Sequence, residues 1–321
     1  MELSPRRKSN LAACAGVVCF FSIIGGGAAF ADTFGSAGNT FTIDFVSIGN
    51  AGNAADSNGR GSVATPYRIS TYEVSEDMVS KANAAGGLGI SQSSRGANFP
   101  TSNVSWNEAA RFVNWLNTSQ GHQAAYKFAI QPGQPGYSAN SNIQLWQPGD
   151  IGYDPNNRYR NSLANYFLPS EDEWYKAAYY DPGTGNYLLY PTGSNVAPSP
   201  TAGGTLPDTA VYDGQSGPAV ITQAGGASPY GTVGQGGNIE EILETSQNRN
   251  NNNPAQNRLL RGGAFNDGAL ELTKNDTNVL NSPSTATSGI GFRVASVPEP
   301  GSAALLLGAA GLLALRRRRL R

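Results

Sequence analysis

The hydrophobic residues of one stretch recur at the spacing of an α-helix. In "SWNEAARFVNWLNTS", Ser105 and Glu108 have the spacing of a capping box, in which each side chain bonds a free backbone N–H at the helix start. The apolar residues behind them fall on one helix face, namely Trp106, Ala109, Ala110, Val113 and Leu116. The pattern predicts an amphipathic helix that buries Trp106 in the core.

The same device begins a second helix. "PSEDEWYKAAYYDPG" places Ser170 three residues before Glu173, follows them with apolar Trp174, and ends in a Asp-Pro-Gly stop signal. A third, weaker helix is predicted over residues 75–85. Alternating apolar and polar residues in "FTIDFVSIGN" predict a β-strand.

Long segments that show neither the helical nor the strand spacing of apolar residues separate these elements. The longest are "IQPGQPGYSANSNIQLWQPGDIGYDPNNRYRNSLANY" and "PTGSNVAPSPTAGGTLPDTAVYDGQSGPAVITQAGG". Together with 40 Gly and 19 Pro in the chain, they predict a loop-rich fold with little regular secondary structure. The stretch "SQNRNNNNPAQN" is predicted to be a solvated polar loop.

The N-terminus has the three parts of a secretory signal peptide. A positive "RRK" precedes an apolar segment over residues 11–27, and Ala29-Phe30-Ala31 has the small-x-small pattern of a cleavage site. Residues 1–31 are therefore predicted to be removed on export, which leaves a domain of residues 32–296. A lipoprotein signal ending in "LAAC" at Cys14 is the alternative, and it is disfavoured because the apolar segment follows that cysteine.

The C-terminus, residues 297–321, also has three parts. Pro298, Glu299 and Pro300 precede an apolar run over residues 301–315 and a block of arginines. The run is shorter than the roughly 20 residues of a comfortable bilayer span, so it predicts transient inner-membrane anchoring. This order resembles the PEP-CTERM sorting signal, which implies processing by an exosortase-type enzyme and a final place on the envelope or outer surface of a Gram-negative bacterium. A weak permanent membrane anchor is the alternative.

Removal of both ends changes the charge and leaves no sulfhydryl. Residues 32–297 keep 14 of the 22 Lys and Arg residues and 21 of the 23 Asp and Glu residues, a net charge of about −7. This charge argues against a nucleic-acid partner, which needs clustered Lys and Arg. Both cysteines, Cys14 and Cys19, lie in the predicted signal peptide, so thiolate catalysis, zinc-cysteine sites and disulfides are excluded from the exported domain.

Six motifs in order resemble one enzyme family. They are "ISTYEVSEDMV", "PTSNVSWNEAARFVNWLN", "FLPSEDEWYKAAYYDP", "SPYGTVGQGGNIEEILET", "LLRGGAFND" and "GIGFRVAS". The set is similar to the formylglycine-generating enzyme, or sulfatase-modifying factor, domain. The resemblance implies a single α+β domain of the C-type-lectin-like class that is rich in irregular loops and often holds calcium.

The catalytic residues of that family are missing. Its active members bind copper through a pair of cysteines between the "RGG" turn and the closing "GFR", where this sequence has about Asp267 and Leu272. Neither side chain binds Cu(I) as a soft thiolate does, so no copper is expected. The single histidine, His122, is expected to lie in an exposed loop, and one imidazole cannot supply an iron ligand set.

A calcium site is implied by another motif. "GGNIEEILET" is similar to the family's Gly-Asn-Val-Trp-Glu-Trp, whose asparagine and glutamate are among the oxygen ligands of a calcium ion. Asn238 and Glu241 match it, while Glu240 and Ile242 stand where the tryptophans would be. The resemblance implies ligation by Asn238, Glu241 and a backbone carbonyl near Ile239. The alternative is a helix that begins here, with its acidic first turn at the positive end of the helix dipole.

Two aromatic residues in a long loop are candidates for ligand contact. Trp146 and Tyr153 lie in "NIQLWQPGDIGYDP", and flat rings with polar neighbours are surfaces on which sugars and peptides stack. Burial of Trp146 in the core is the alternative.

The sequence predicts an exported, exosortase-processed protein whose domain has no oxidase activity and acts as a binding or structural module. Exosortase systems are associated with extracellular polysaccharide, so the resemblance implies a polysaccharide or matrix partner. The competing prediction is an enzyme of the same family with a cysteine-independent activity.

Overall fold

The computed structural model describes residues 30–298. Over that range the chain forms three α-helices, which are α1 Glu76–Gly86, α2 Trp106–Ser119 and α3 Glu171–Tyr179. It also forms short β-strands, which are β1 Phe30–Phe34, β2 Phe41–Ile48, β3 Tyr67–Ser70, β4 Tyr166–Phe167, β5 Tyr180–Asp181, β6 Asn186–Tyr187, β7 Ser199–Pro200, β8 Thr209–Ala210, β9 Glu240–Ser246, β10 Arg258–Arg261, β11 Asn278–Leu280, β12 Ile290–Gly291 and β13 Ala295–Ser296.

The predicted helix starts are confirmed by their hydrogen bonds. The Ser105 and Ser170 hydroxyls each accept a bond from the backbone N–H three residues on, and Glu108 and Glu173 bond back to the cap. The third predicted helix is α1, and the predicted strand is β2. Trp106, as predicted, has no exposed surface.

The larger sheet holds both ends of the domain. Its strand order is β1-β2-β3-β13-β4, and every neighbouring pair is antiparallel. Strand β1 begins at Phe30, so it includes the last two residues of the predicted signal peptide. The helix α2 contributes to the apolar core beside this sheet, where the Phe112 ring meets the Phe292 ring edge to face.

The second sheet corrects one expectation. Its order is β11-β10-β9-β12, and all seven residues of β9 are buried, although three of them are glutamates: Glu240, Glu241 and Glu244. The alternative of a helix with an acidic first turn is therefore wrong. Arginines that are distant in the sequence reach two of these carboxylates, Arg293 at Glu241 and Arg160 at Glu244. Glu240 instead accepts a 3.5 Å bond from the Asn278 amide.

Most of the remaining chain is turns and irregular loops, so the loop-rich α+β prediction is confirmed. Between residues 30 and 298 we find no helix long and apolar enough to cross a membrane. The predicted anchor over residues 301–315 lies outside the described residues.

Candidate functional site

A buried ion pair joins β9 to the closing "GFR" motif. The Glu241 carboxylate accepts a 2.6 Å bond from Arg293 Nε and a second 2.6 Å bond from Arg293 Nη2. It also accepts a 2.7 Å bond from the Trp174 indole. Neither charged side chain is more than 1% exposed. The pair is bidentate, and this geometry is the strongest that an arginine and a carboxylate can form.

The same arginine ties three segments together. Arg293 donates to the carbonyl oxygens of Ser70 and Val233, each over 2.9 Å. Ser70 is the last residue of β3, and Val233 precedes the "GGNIEE" motif. The guanidinium therefore links the first, fourth and last family motifs. The arrangement stabilises the framework.

A second carboxylate lies beside this pair. Glu73 is 1% exposed, and its Oε1 accepts a 2.9 Å bond from Asn238 Nδ2. Its Oε2 has no hydrogen-bond partner among residues 30–298. Burial, together with the negative charge of Glu241, raises the pKa of Glu73 to about 8. Glu73 therefore holds its proton at neutral pH.

The three predicted calcium ligands do not fit an ion in this packing. Asn238 is fully buried, and its Oδ1 accepts a 2.7 Å bond from the Ala219 N–H. Both oxygens of Glu241 are bonded by Arg293, whose positive charge would repel a cation. A calcium ion at Asn238, Ile239 and Glu241 would have to displace that guanidinium. Calcium binding here stays a prediction.

Asp267 and Leu272, which the resemblance places near the family's cysteines, both contact other residues of this protein. Leu272 is fully buried in an apolar cluster with Tyr190 and Tyr212. The Asp267 carboxylate accepts a 2.8 Å bond from the Ala264 N–H and so closes a local turn. The adjacent Glu240 is buried, and burial and the charge of Asp267 raise the pKa of Glu240 to about 7. The described residues place no sulfur here.

Trp146 and Tyr153 lie on the same loop, and Lys127 and Asp150 connect them. The Trp146 indole donates to the Ala125 carbonyl oxygen over 3.1 Å, and the Lys127 ammonium lies 5.6 Å from the ring centroid. Lys127 also bonds Asp150 over 2.7 Å, and the Asp150 carbonyl accepts from the Tyr153 N–H. Both rings are half-buried. A role in ligand contact stays a prediction for both.

A polar cavity of about 440 Å³ lies at the start of α3. Four separate segments line it, and each supplies polar or charged side chains, among them Arg60, Asn156, Asp172 and Arg249. Glu171 also lines it, and its side chain is 4% exposed. Three arginines reach Glu171: Arg249 Nε over 2.7 Å, Arg261 Nη2 over 2.7 Å and Arg60 Nε over 2.8 Å.

The sequence did not predict this cavity. The loop "SQNRNNNNPAQN" was expected to be solvated, yet Asn251 is 7% exposed and Arg249 bonds Glu171. A signal was present, because "DSNGRG" and "QNRNNN" are both loops of small and amide residues around one arginine. Nothing in either loop, however, shows that they meet.

Comparison with known proteins identifies the framework. A model of the sulfatase-modifying factor enzyme 1-like domain matches residues 36–297. The chain belongs to this family. A PEP-CTERM protein-sorting motif matches residues 296–319, which confirms the predicted sorting signal and indicates export to the envelope or outer surface of a Gram-negative bacterium. No curated protein matches the chain.

Solved structures share the family fold at low sequence identity. Treponema denticola variable protein 1 is 19% identical, with a TM-score of 0.55, and the match covers 84% of this chain and 99% of that one. CarF is 20% identical, with a TM-score of 0.52 and coverage of 80% and 99%. PvdO from Pseudomonas aeruginosa is 15% identical, with a TM-score of 0.51 and coverage of 85% and 99%. These likenesses show the fold alone.

One arginine of this family domain holds both of its ends. Arg68 bonds both oxygens of Asp32, over 2.9 and 2.6 Å, and its Nε donates to the Ser296 hydroxyl over 2.9 Å. The sorting motif follows directly, with Pro298 described and Glu299 and Pro300 outside the described residues. Arg68 therefore joins Asp32 in β1 of the larger sheet to Ser296 in β13, its last strand along the chain.

Proposed function

We propose that the protein is a binding module of the envelope or extracellular matrix, which keeps the family framework and lacks its oxidase chemistry. The observation that carries this proposal is the environment of Leu272. The resemblance implies that the family binds Cu(I) through two soft thiolates, and near one of those positions this chain has an aliphatic side chain packed against tyrosines. Residues 32–297 contain no cysteine that could act instead.

The sorting signal supports the choice of partner. A protein handled by exosortase-type machinery reaches the outer surface, and the association of exosortase systems with extracellular polysaccharide is the reason for proposing a polysaccharide partner. Transient anchoring through residues 301–315 would hold the domain at the inner membrane until the sorting motif is cut. Both statements rest on the motif at residues 296–319.

We expect the processed protein to bind the producing cell's purified exopolysaccharide saturably and not to bind neutral dextran. The measurement is a binding isotherm with calcium and then with EDTA. Because the oxygens of Asn238 and Glu241 already have protein partners, we expect the chelator to leave the affinity unchanged. Loss of binding in EDTA would instead support the calcium prediction. Absence of binding in both conditions would contradict the polysaccharide partner and favour a structural role.

A cysteine-independent enzyme is the second candidate, and the raised pKa values of two carboxylates favour it. Groups that hold a proton near neutral pH are typical of acid-base catalysis. Glu73 and Glu240 meet that condition, with pKa values raised by burial to about 8 and about 7. Both side chains are at most 6% exposed, so a substrate would need the surrounding loops to open. The binding module therefore remains the better-supported function.

A further inference from the structure

The cavity at the start of α3 differs from an ordinary small-molecule site in its lining. Its volume of about 440 Å³ is in the usual range of roughly 300–1,000 Å³, but such sites are mostly apolar. Here every lining residue is polar, charged or glycine. A ligand that fits must therefore form hydrogen bonds over most of its surface.

Unused positive charge is the main feature of this cavity. One carboxylate, Glu171, is shared by three guanidinium groups. Arg261 is fully buried, whereas the side chains of Arg60 and Arg249 are 23% and 44% exposed at the cavity. Within residues 30–298, neither Nη atom of Arg60 donates a hydrogen bond, and Arg249 Nη1 donates none either. These nitrogens are donors available to an anion.

The cavity also has side chains that can form hydrogen bonds with the uncharged hydroxyl groups of a ligand. Asp172 Oδ1 accepts a 2.8 Å bond from the Gly61 N–H, and its Oδ2 has no hydrogen-bond partner within the described part of the chain. The Thr245 hydroxyl accepts from the Glu171 N–H over 2.8 Å and keeps its own hydrogen to donate. The Asn156 amide is exposed at the rim. Donors and an acceptor therefore surround the two arginines.

We propose that this cavity binds an acidic saccharide, whose anionic group is held by Arg60 and Arg249 and whose hydroxyls bond Asp172, Thr245 and Asn156. This inference deepens the function proposed above and rests on it. A neutral sugar would offer the guanidinium groups only hydroxyl oxygens and no opposite charge, and no aromatic ring lines the cavity to stack on a sugar face. The anionic group is a uronate carboxylate or a sulfate ester, since arginine binds both through paired hydrogen bonds.

The overall negative charge of the domain opposes non-specific binding of an acidic polymer. With a net charge of about −7, residues 32–297 repel a polyanion at long range. Binding of an acidic polymer must therefore come from a local site, and the loss of one guanidinium there should have a large effect.

The test is calorimetric titration of the processed protein with trigalacturonate, with a sulfated galactotriose and with neutral galactotriose. We expect at least one acidic trisaccharide to bind ten or more times tighter than the neutral one, and the tighter of the two identifies the anionic group. Arg249→Gln should weaken that binding at least tenfold, because it removes charge-assisted hydrogen bonds to the anionic group. Glu171 keeps Arg60 and Arg261 in that variant, so the fold should persist.

Arg60→Gln is the second variant, and Arg95→Gln is the matched control. Arg95 is exposed, outside the cavity, and its guanidinium lies 5.4 Å from the Phe265 ring centroid. The control removes the same charge and should leave the affinity unchanged.

Equal binding of neutral and acidic trisaccharides, or full affinity in Arg249→Gln, would overturn the site. If Arg249→Gln and Arg60→Gln both bound the exopolysaccharide as tightly as the wild type, the site would be wrong and the proposed function would stand. If the wild-type protein bound no exopolysaccharide, the function itself would fail.

Discussion

Arg293→Met is expected to lower the free energy of unfolding by about 3–5 kcal/mol, the cost of removing one partner of a buried ion pair. The substitution leaves the Glu241 carboxylate buried without its cation, and Glu73 lies beside it. It also removes the donors to the carbonyl oxygens of Ser70 and Val233. Urea denaturation at pH 7 measures the loss.

Two further variants separate the ion pair from general effects of the substitution. Arg95→Met changes an exposed arginine in the same way and should cost within about 0.5 kcal/mol. Adding Glu241→Gln to Arg293→Met should recover part of the loss, because no unpaired charge then remains, and glutamine can still accept from the Trp174 indole. A cost for Arg293→Met no larger than that of the control would show that the pair does not hold the framework together.

Glu73→Gln is expected to stabilise the protein at pH 8 and to flatten the dependence of its stability on pH. The pKa of Glu73 is raised from 4.5 to about 8, so the folded protein holds a proton that the unfolded chain has lost. Stability should therefore fall as pH rises from about 4.5 to about 8. The full effect is on the order of 5 kcal/mol, at about 1.4 kcal/mol for each pKa unit. Glutamine has nearly the shape of the protonated acid and carries no charge to lose.

Urea denaturation of both proteins at pH 5 and pH 8 measures this effect. We expect a larger loss between the two values in the wild type than in Glu73→Gln. Glu240→Gln serves as a comparison, because the pKa of Glu240 is raised only to about 7 and its contribution should be smaller with the same sign. The same pH dependence in Glu73→Gln and in the wild type would mean that Glu73 is ionised in the folded protein.

Local patterns predicted the parts of the fold that depend on neighbours in the sequence. Both capping boxes form, and Trp106 and Trp174 are buried, because caps and amphipathic faces are fixed within a few residues. Strand β9 was not predicted. Its glutamates look like a solvated face until Arg293 and Arg160 are placed beside Glu241 and Glu244, and these partners lie 52 and 84 residues away.

The candidate site was less predictable for the same reason. The absence of a thiol at positions 267 and 272 could be read directly, because it depends only on residue identity. The polar cavity depends on Arg60, Asn156, Glu171 and Arg249 meeting from four segments. Three of these residues lie in loops, and no periodic pattern links them. Asn238 and Glu241 matched the calcium motif by letter, but their oxygens bond other parts of the protein.

The most direct test of the account is an assay for the family's reaction. The processed protein would be supplied with Cu(I), oxygen and a cysteine-containing sulfatase peptide, and the peptide would be examined by mass spectrometry for an aldehyde at the cysteine. Because Asp267 and Leu272 stand near the positions of the two thiolates, we expect the peptide to be recovered unchanged. Aldehyde formation that depends on the protein would contradict the account, since the domain would then retain the family's chemistry without its cysteines.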